Sequence, residues 1–142
     1  MAAVLPDPAT QFGARVRNRL RDEQVIWFTA VADDGTPQPN PVWFVWQDDA
    51  LLVYNKRGAR RLHYVRERPR VALHLNGDQR GGDIIVFTGI AEVPDDAPPP
   101  HAVPAYLDKY RRSMTGVSGS PEAFSEAYPT AVRVRPTRVR GF

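Results

Sequence analysis

Asp33-Asp34-Gly35-Thr36 and Asp48-Asp49 are turns of a few residues, and each separates runs of strand character. The first run, Val25-Ile26-Trp27-Phe28-Thr29-Ala30-Val31, is β-branched and aromatic. The second covers residues 38–46, and the third is Leu51-Leu52-Val53-Tyr54. Parallel neighbours need a crossover of about a dozen residues or more, so strands joined this tightly must run antiparallel. The spacing predicts a three-stranded meander. A Rossmann unit is disfavoured on the same ground, and no G-x-G-x-x-G occurs.

The remaining chain reads as further strands with helices at loops and ends. Over residues 9–23, Phe12, Val16 and Leu20 recur every fourth position, with Arg15, Arg17, Arg19 and Arg21 on the other faces; Thr10 is the expected cap. Residues 59–68 read as a helix stopping before Pro69. Strands are expected over residues 71–75 and 83–93, joined by the turn Gly77-Asp78-Gln79-Arg80-Gly81-Gly82. Residues 94–104 hold five prolines and read as a crossover loop. Residues 105–114 form a helix with Tyr106, Leu107 and Tyr110 on one side, and a short helix opens at Ser120-Pro121-Glu122. In the last strand, residues 130–140, valines alternate with Arg133, Arg135, Arg138 and Arg140, and Pro136 marks a break or an edge. With no internal repeat and no linker, the 142 residues make one domain: mainly β, an antiparallel β-barrel with peripheral helices, in which closure removes exposed edges.

Composition excludes several chemistries. There is no cysteine, hence no disulfide framework, thiolate zinc site or thiol nucleophile. No apolar run reaches membrane-spanning length, and the opening Met-Ala-Ala-Val-Leu-Pro-Asp lacks the basic and apolar regions of a secretory signal, so a cytoplasmic address is expected. His63, His74 and His101 lie at least 11 residues apart in different elements and are not expected to bind metal. Asp48-Asp49 and Asp95-Asp96 read as turn and loop pairs, and no Ser-His-Asp arrangement stands out. No catalytic side chain is assigned; an enzyme that takes its chemistry from a cofactor needs the protein only for placement and electrostatics. The basic last strand lacks an RNP-like aromatic motif, so nucleic acid is not an expected partner.

Of 19 basic residues 17 are arginine, a bias that genomic base composition alone produces, so arginines inform only where they cluster. Lys56, Arg57, Arg60 and Arg61 fall within six positions where a strand gives way to a helix. Helix-start N–H groups and forked guanidinium side chains together suit a phosphate, although a solvated loop accommodates the same residues. In the second segment, Pro37, Pro39 and Pro41 deny ladder donors, which marks an edge strand. The amides of Gln38 and Asn40 suit a heterocycle, and Trp43, Phe44 and Trp46 supply apolar surface, Trp46 more simply as core. Gly81-Gly82-Asp83 reads as a tight turn or a close backbone approach.

The stretches DGTPQPNPVWFVW, LLVYN followed by GARRLHYVRERPRVALHL, GDQRGGDIIVFTGIAEV, YLDKYRRSM and RVRPTRVRGF, in that order, resemble the pyridoxamine 5′-phosphate oxidase-like split-barrel superfamily. More narrowly they resemble its actinobacterial F420-dependent branch. The resemblance implies an FMN-binding split β-barrel and a homodimer with cofactor sites at the subunit interface. It implies hydride transfer between coenzyme F420 and a small conjugated substrate. FMN is the alternative cofactor, with oxidase or flavin reductase chemistry; a non-catalytic carrier or sensor is the other alternative. Gln38, Asn40, Pro41, Val42 and Trp43 would lie along the ring system. Arg61 falls where the family usually has lysine and would bind the phosphate, helped by Asn55, Lys56 and Arg60. Gly81, Gly82 and Asp83 would come from the opposing subunit, and Tyr110 and the C-terminal arginines would complete the site. Besides Arg61, which keeps the charge of the lysine, three residues depart from the family pattern: His63 stands in place of Arg, Tyr64 in place of Asn, and Asn55 in place of Ser.

Overall fold

Strict alternation of buried and accessible residues governs the first strand, and it sets the inside and the outside of the whole sheet. The computed structural model describes residues 5–142; the first four residues of the stretch read for a targeting signal lie outside them. The strands are β1 (Ile26–Val31), β2 (Pro37–Val42), β3 (Val45–Gln47), β4 (Ala50–Asn55), β5 (Arg70–His74), β6 (Ile85–Glu92) and β7 (Thr130–Gly141). The helices are α1 (Gln11–Asp22), α2 (Arg60–Glu67), α3 (Pro104–Ser118) and α4 (Pro121–Ala127), with a 3-10 turn at Pro100–Ala102. All strand pairs are antiparallel, in the order β2-β1-β5-β6-β7-β4-β3, and the curled sheet with its peripheral helices is a split β-barrel.

The expected meander is corrected. Residues 38–46 form two strands, not one: β2 pairs with β1, β3 pairs with β4, and the two lie at opposite ends of the sheet order. The break falls at Trp43-Phe44 because α3 takes the backbone of Phe44 out of the ladder. The Tyr110 hydroxyl accepts from the Phe44 N–H at 2.9 Å and donates to the Gln24 carbonyl at 2.7 Å. Lys109 Nζ donates to the Phe44 carbonyl at 3.0 Å and to the Leu20 carbonyl at 3.3 Å. The end strands of the sheet are thus joined through the chain rather than through hydrogen bonds. The β2 edge is blunted chemically instead. Only Gln38, Asn40 and Val42 can donate to β1, so the outer rim carries the Pro37, Pro39 and Pro41 carbonyls and no N–H.

Two apolar cores result. Val16 and Leu20 of α1, and Leu62 and Val65 of α2, pack with Phe28, Leu51, Val53, Leu73, Phe87 and Val134 inside the sheet. On the other side of β4, Leu52 and Tyr54 pack with Tyr106, Tyr110, Met114 and Phe124 of α3 and α4. All six residues of β4 are buried, since it serves both cores. Thr10 caps α1 as expected, accepting from the Gly13 N–H at 2.9 Å, and Ser120 caps α4, accepting from Ala123 at 3.0 Å. Helix α3 runs past Met114 to Ser118, because burial of Tyr106, Tyr110 and Met114 outweighs the weak helix propensity of Gly116. Pro136 stands inside a central strand opposite Gly89, where the β6–β7 register shifts. A Cβ on Gly89 would sit 2.4 Å from the Arg135 carbonyl oxygen, so that crossing requires glycine.

A cationic cleft beside an edge strand

Asn55 ends β4 with its side chain 2 % exposed, and the next turn of chain delivers α2 beside it. Ala59 gives α2 no side-chain cap, and its first turn holds no acid, so the helix start keeps its positive end uncompensated. Arg61 lies there half-buried. It donates through Nη1 to Asn55 Oδ1, and its guanidinium carbon sits 5.5 Å from the centre of the Phe28 ring. Asn55 in turn donates through Nδ2 to the carbonyls of Thr130 at 3.1 Å and Val53 at 3.3 Å. Among the described residues no carboxylate lies within 4.0 Å of Arg61. Burial pulls its pKa below the ordinary arginine range with nothing opposing it. A partly desolvated cation without an anion is an unbalanced charge.

Two cavities meet at this side chain. The larger, 630 Å³, is lined by Pro41, Val42, Trp43, Tyr54, Asn55, Lys56, Gly58, Ala59, Arg61, Tyr106, Val117, Phe124 and Tyr128. The smaller, 260 Å³, is lined by Ala30, Gln38, Asn40, Ala59, Arg60, Arg61 and Tyr64. Arg61 and Ala59 belong to both, so one continuous depression follows β2 from Gln38 to Trp43. Nine of the candidate residues converge there: Gln38, Asn40, Pro41, Val42, Trp43, Asn55, Lys56, Arg60 and Arg61.

The other three, Gly81, Gly82 and Asp83, line neither cavity in this chain. Their loop is latched to α1: Arg19 meets the Asp83 carboxylate at 2.8 Å and carbonyl at 3.1 Å, and Arg15 meets the carboxylate at 3.3 Å. Asp78 Oδ1 accepts from the Arg80 and Gly82 N–H groups, and a Cβ on Gly82 would come within 2.5 Å of Asp78 Oδ2. Turn geometry within the chain therefore explains the glycine. Tyr110 is 1 % exposed and spent on the Phe44 backbone, so it holds the site's frame instead of lining it. Arg133 pairs with Glu92 at 3.1 Å, outside the cleft.

The far wall of the larger cavity was not anticipated from sequence. Tyr54, Tyr106, Phe124 and Tyr128 form it, and Trp43 stacks on Phe124 at 5.3 Å and on Tyr110 at 4.9 Å between centroids. Tyr54 donates to the Pro98 carbonyl, and burial pushes its pKa up to about 12. Burial also drives Tyr106 well above the tyrosine range. These phenols stay protonated at neutral pH. The only sequence signal for this wall is the recurrence of aromatics at 106, 110, 124 and 128, which a helical core produces equally well. Of the departures from the family pattern, His63 faces Asp33 at 3.0 Å on the surface, Tyr64 lines the smaller cavity, and Asn55 is the residue that holds Arg61.

A family model described as pyridoxamine 5′-phosphate oxidase matches residues 12–142. Among solved structures, an F420 reductase is 22 % identical with a TM-score of 0.67, over 87 % of this chain and 94 % of its own. A conserved hypothetical protein from Mycobacterium tuberculosis is 18 % identical, TM-score 0.69, over 99 % and 88 %. A heme storage protein from Vibrio cholerae is 13 % identical, TM-score 0.63, over 90 % and 92 %. At these identities the likeness shows a shared fold. No curated protein matches the sequence.

Proposed function

The chain belongs to the pyridoxamine 5′-phosphate oxidase family, and from that premise we propose that it is an F420-dependent oxidoreductase whose phosphate-bearing cofactor binds at Arg61. The observation that carries this reading is the half-buried guanidinium: among the described residues it has an amide to orient it and no carboxylate to neutralise it. An anionic group of a ligand would complete the charge balance, aided by the uncapped start of α2 and by Lys56 and Arg60. Gln38 and Asn40 have exposed amides on the proline-rimmed strand, suited to the edge of a heterocycle. When bound, the deazaflavin supplies hydride chemistry toward a conjugated acceptor. The protein contributes position, the cationic end and an aromatic wall that excludes water. FMN satisfies the same phosphate chemistry and is the alternative cofactor.

The proposal includes a homodimer in the cytoplasm. Trp27, Thr29, Ala72, His74, Val86, Thr88 and Ile90 share the outward face of β1, β5 and β6, and none is fully buried. Such a flat, half-apolar face suits a second copy, and residues 81–83 would reach the neighbour's cleft. The test is separate titration of F420 and FMN into wild-type protein and Arg61→Ala. F420 is expected to bind more tightly than FMN, and the variant to lose affinity for both. Tight FMN, visible as yellow protein on purification, would reverse the cofactor order. Binding without reduction of any acceptor would leave a carrier or sensor.

A further inference from the structure

Tyr106 is 1 % exposed, yet its hydroxyl has no hydrogen-bond partner among the described residues. It is also not one of the fully buried, unpaired polar atoms, which are Arg15 Nε and Asp83 Oδ1. The small accessible part of the residue is therefore at its oxygen, and the residue lines the 630 Å³ cavity. Its neighbours fix the ring firmly: Tyr54 meets it edge-on at 5.1 Å and Tyr110 lies at 4.9 Å between centroids. The two phenols packed against this ring differ. Tyr54 is spent on the Pro98 carbonyl and Tyr110 on the Phe44 and Gln24 backbone. A rigid ring thus presents an unspent donor to an apolar recess, at the end of the cleft formed by Phe124, Tyr128 and Val117.

We propose that the Tyr106 hydroxyl is the specificity contact of an acceptor-substrate subsite, donating to a carbonyl or nitro oxygen on a flat aromatic or conjugated molecule. Apolar walls alone discriminate weakly, whereas a placed donor that must be satisfied selects for ligands carrying the matching acceptor. The recess takes a ring system against the wall made by the stacked Trp43, Phe124 and Tyr128 rings, and Tyr106 fixes which edge faces inward. Burial keeps this phenol protonated across the neutral range, so it acts as a donor throughout.

The assignment rests on the cleft being a ligand site, but it concerns the end away from Arg61, so the two readings fail separately. The test uses 1-tetralone and its oxygen-free analogue 1-methyltetralin, titrated into cofactor-free wild-type protein and Tyr106→Phe by ligand-observed NMR. Thermal melting of both proteins is recorded alongside. Wild type is expected to prefer the ketone, and Tyr106→Phe to lose roughly tenfold in affinity for it while binding the hydrocarbon unchanged. The melting temperature of the variant should be unchanged or raised, because no protein partner is orphaned. Equal loss for both ligands, no ketone preference in wild type, or a fall in melting temperature would overturn the proposal, the last by showing the hydroxyl to be structural. FMN or F420 affinity lost in Arg61→Ala with tetralone binding intact would leave this assignment standing.

Discussion

At the residue scale, a single pair stands at the centre of the site's electrostatics. Asn55 and Arg61 both depart from the family's habitual residues, and they touch each other. The Asn55 amide oxygen accepts from the Arg61 guanidinium and holds it in place. The pair was half legible in sequence: clustering pointed to Arg61, but its tie to Asn55 depends on β4 and α2 meeting at a corner that residue spacing does not reveal. Lys109 presents a second half-buried cation, with a different task. Its amine bridges the Leu20 and Phe44 carbonyls and lies 3.8 Å from the centre of the Phe44 ring. Burial lowers its pKa to about 8 from 10.5, against weaker support from Asp22 and Glu23. A folded-state value below the unfolded one means the native protein releases this proton first. The Lys109 contribution to stability therefore rises as pH climbs from about 8 to about 10.5. Urea melts at pH 7.5 and 9.5 check this: the wild type should gain stability relative to Lys109→Met over that interval, and parallel curves would contradict it.

At the element scale, local pattern and tertiary contact divided the outcome. Helices α1 and α4 follow from their caps, α2 from its stop before Pro69, and β5, β6 and β7 from β-branched alternation. The run over residues 38–46 reads as one strand because nothing at Trp43-Phe44, where it divides, is a breaker; the interruption comes from Lys109 and Tyr110, 65 and 66 residues away from Phe44 in sequence. Pro136 gave a true local signal whose partner, Gly89, is visible only in the register. Gly89→Ala forces a Cβ to within 2.4 Å of the Arg135 carbonyl, where backbone must give way. The expected cost is about 2–4 kcal/mol of unfolding free energy by chemical denaturation, with ligand affinity intact in whatever folds.

For the whole molecule, assembly has a specific address on the sheet. Thr29, Ala72, Thr88 and Arg138 are consecutive partners across β1, β5, β6 and β7, on the outward face of the sheet. A long cation at Ala72, a small residue in the middle of that row, disrupts close packing of two sheets without touching either core. Light scattering should give about twice the 15.9 kDa chain mass for wild type and the single-chain mass for Ala72→Arg. A wild-type monomer would remove the dimer, along with any contribution of residues 81–83 to a neighbouring cleft. The barrel itself was legible in sequence because short turns leave antiparallel strands few alternatives. The aromatic wall was not, since helical aromatics bound for a core and those bound for a cleft share one period. The claim on which the functional account stands is that the cleft recognises an anion through Arg61. FMN and riboflavin share a ring and differ by the phosphate, so titrating both into wild type and Arg61→Ala isolates that contact. Wild type should favour FMN by roughly tenfold to a hundredfold and Arg61→Ala should lose the preference. A preference for FMN that survives the substitution, or none in the wild type, would contradict the account.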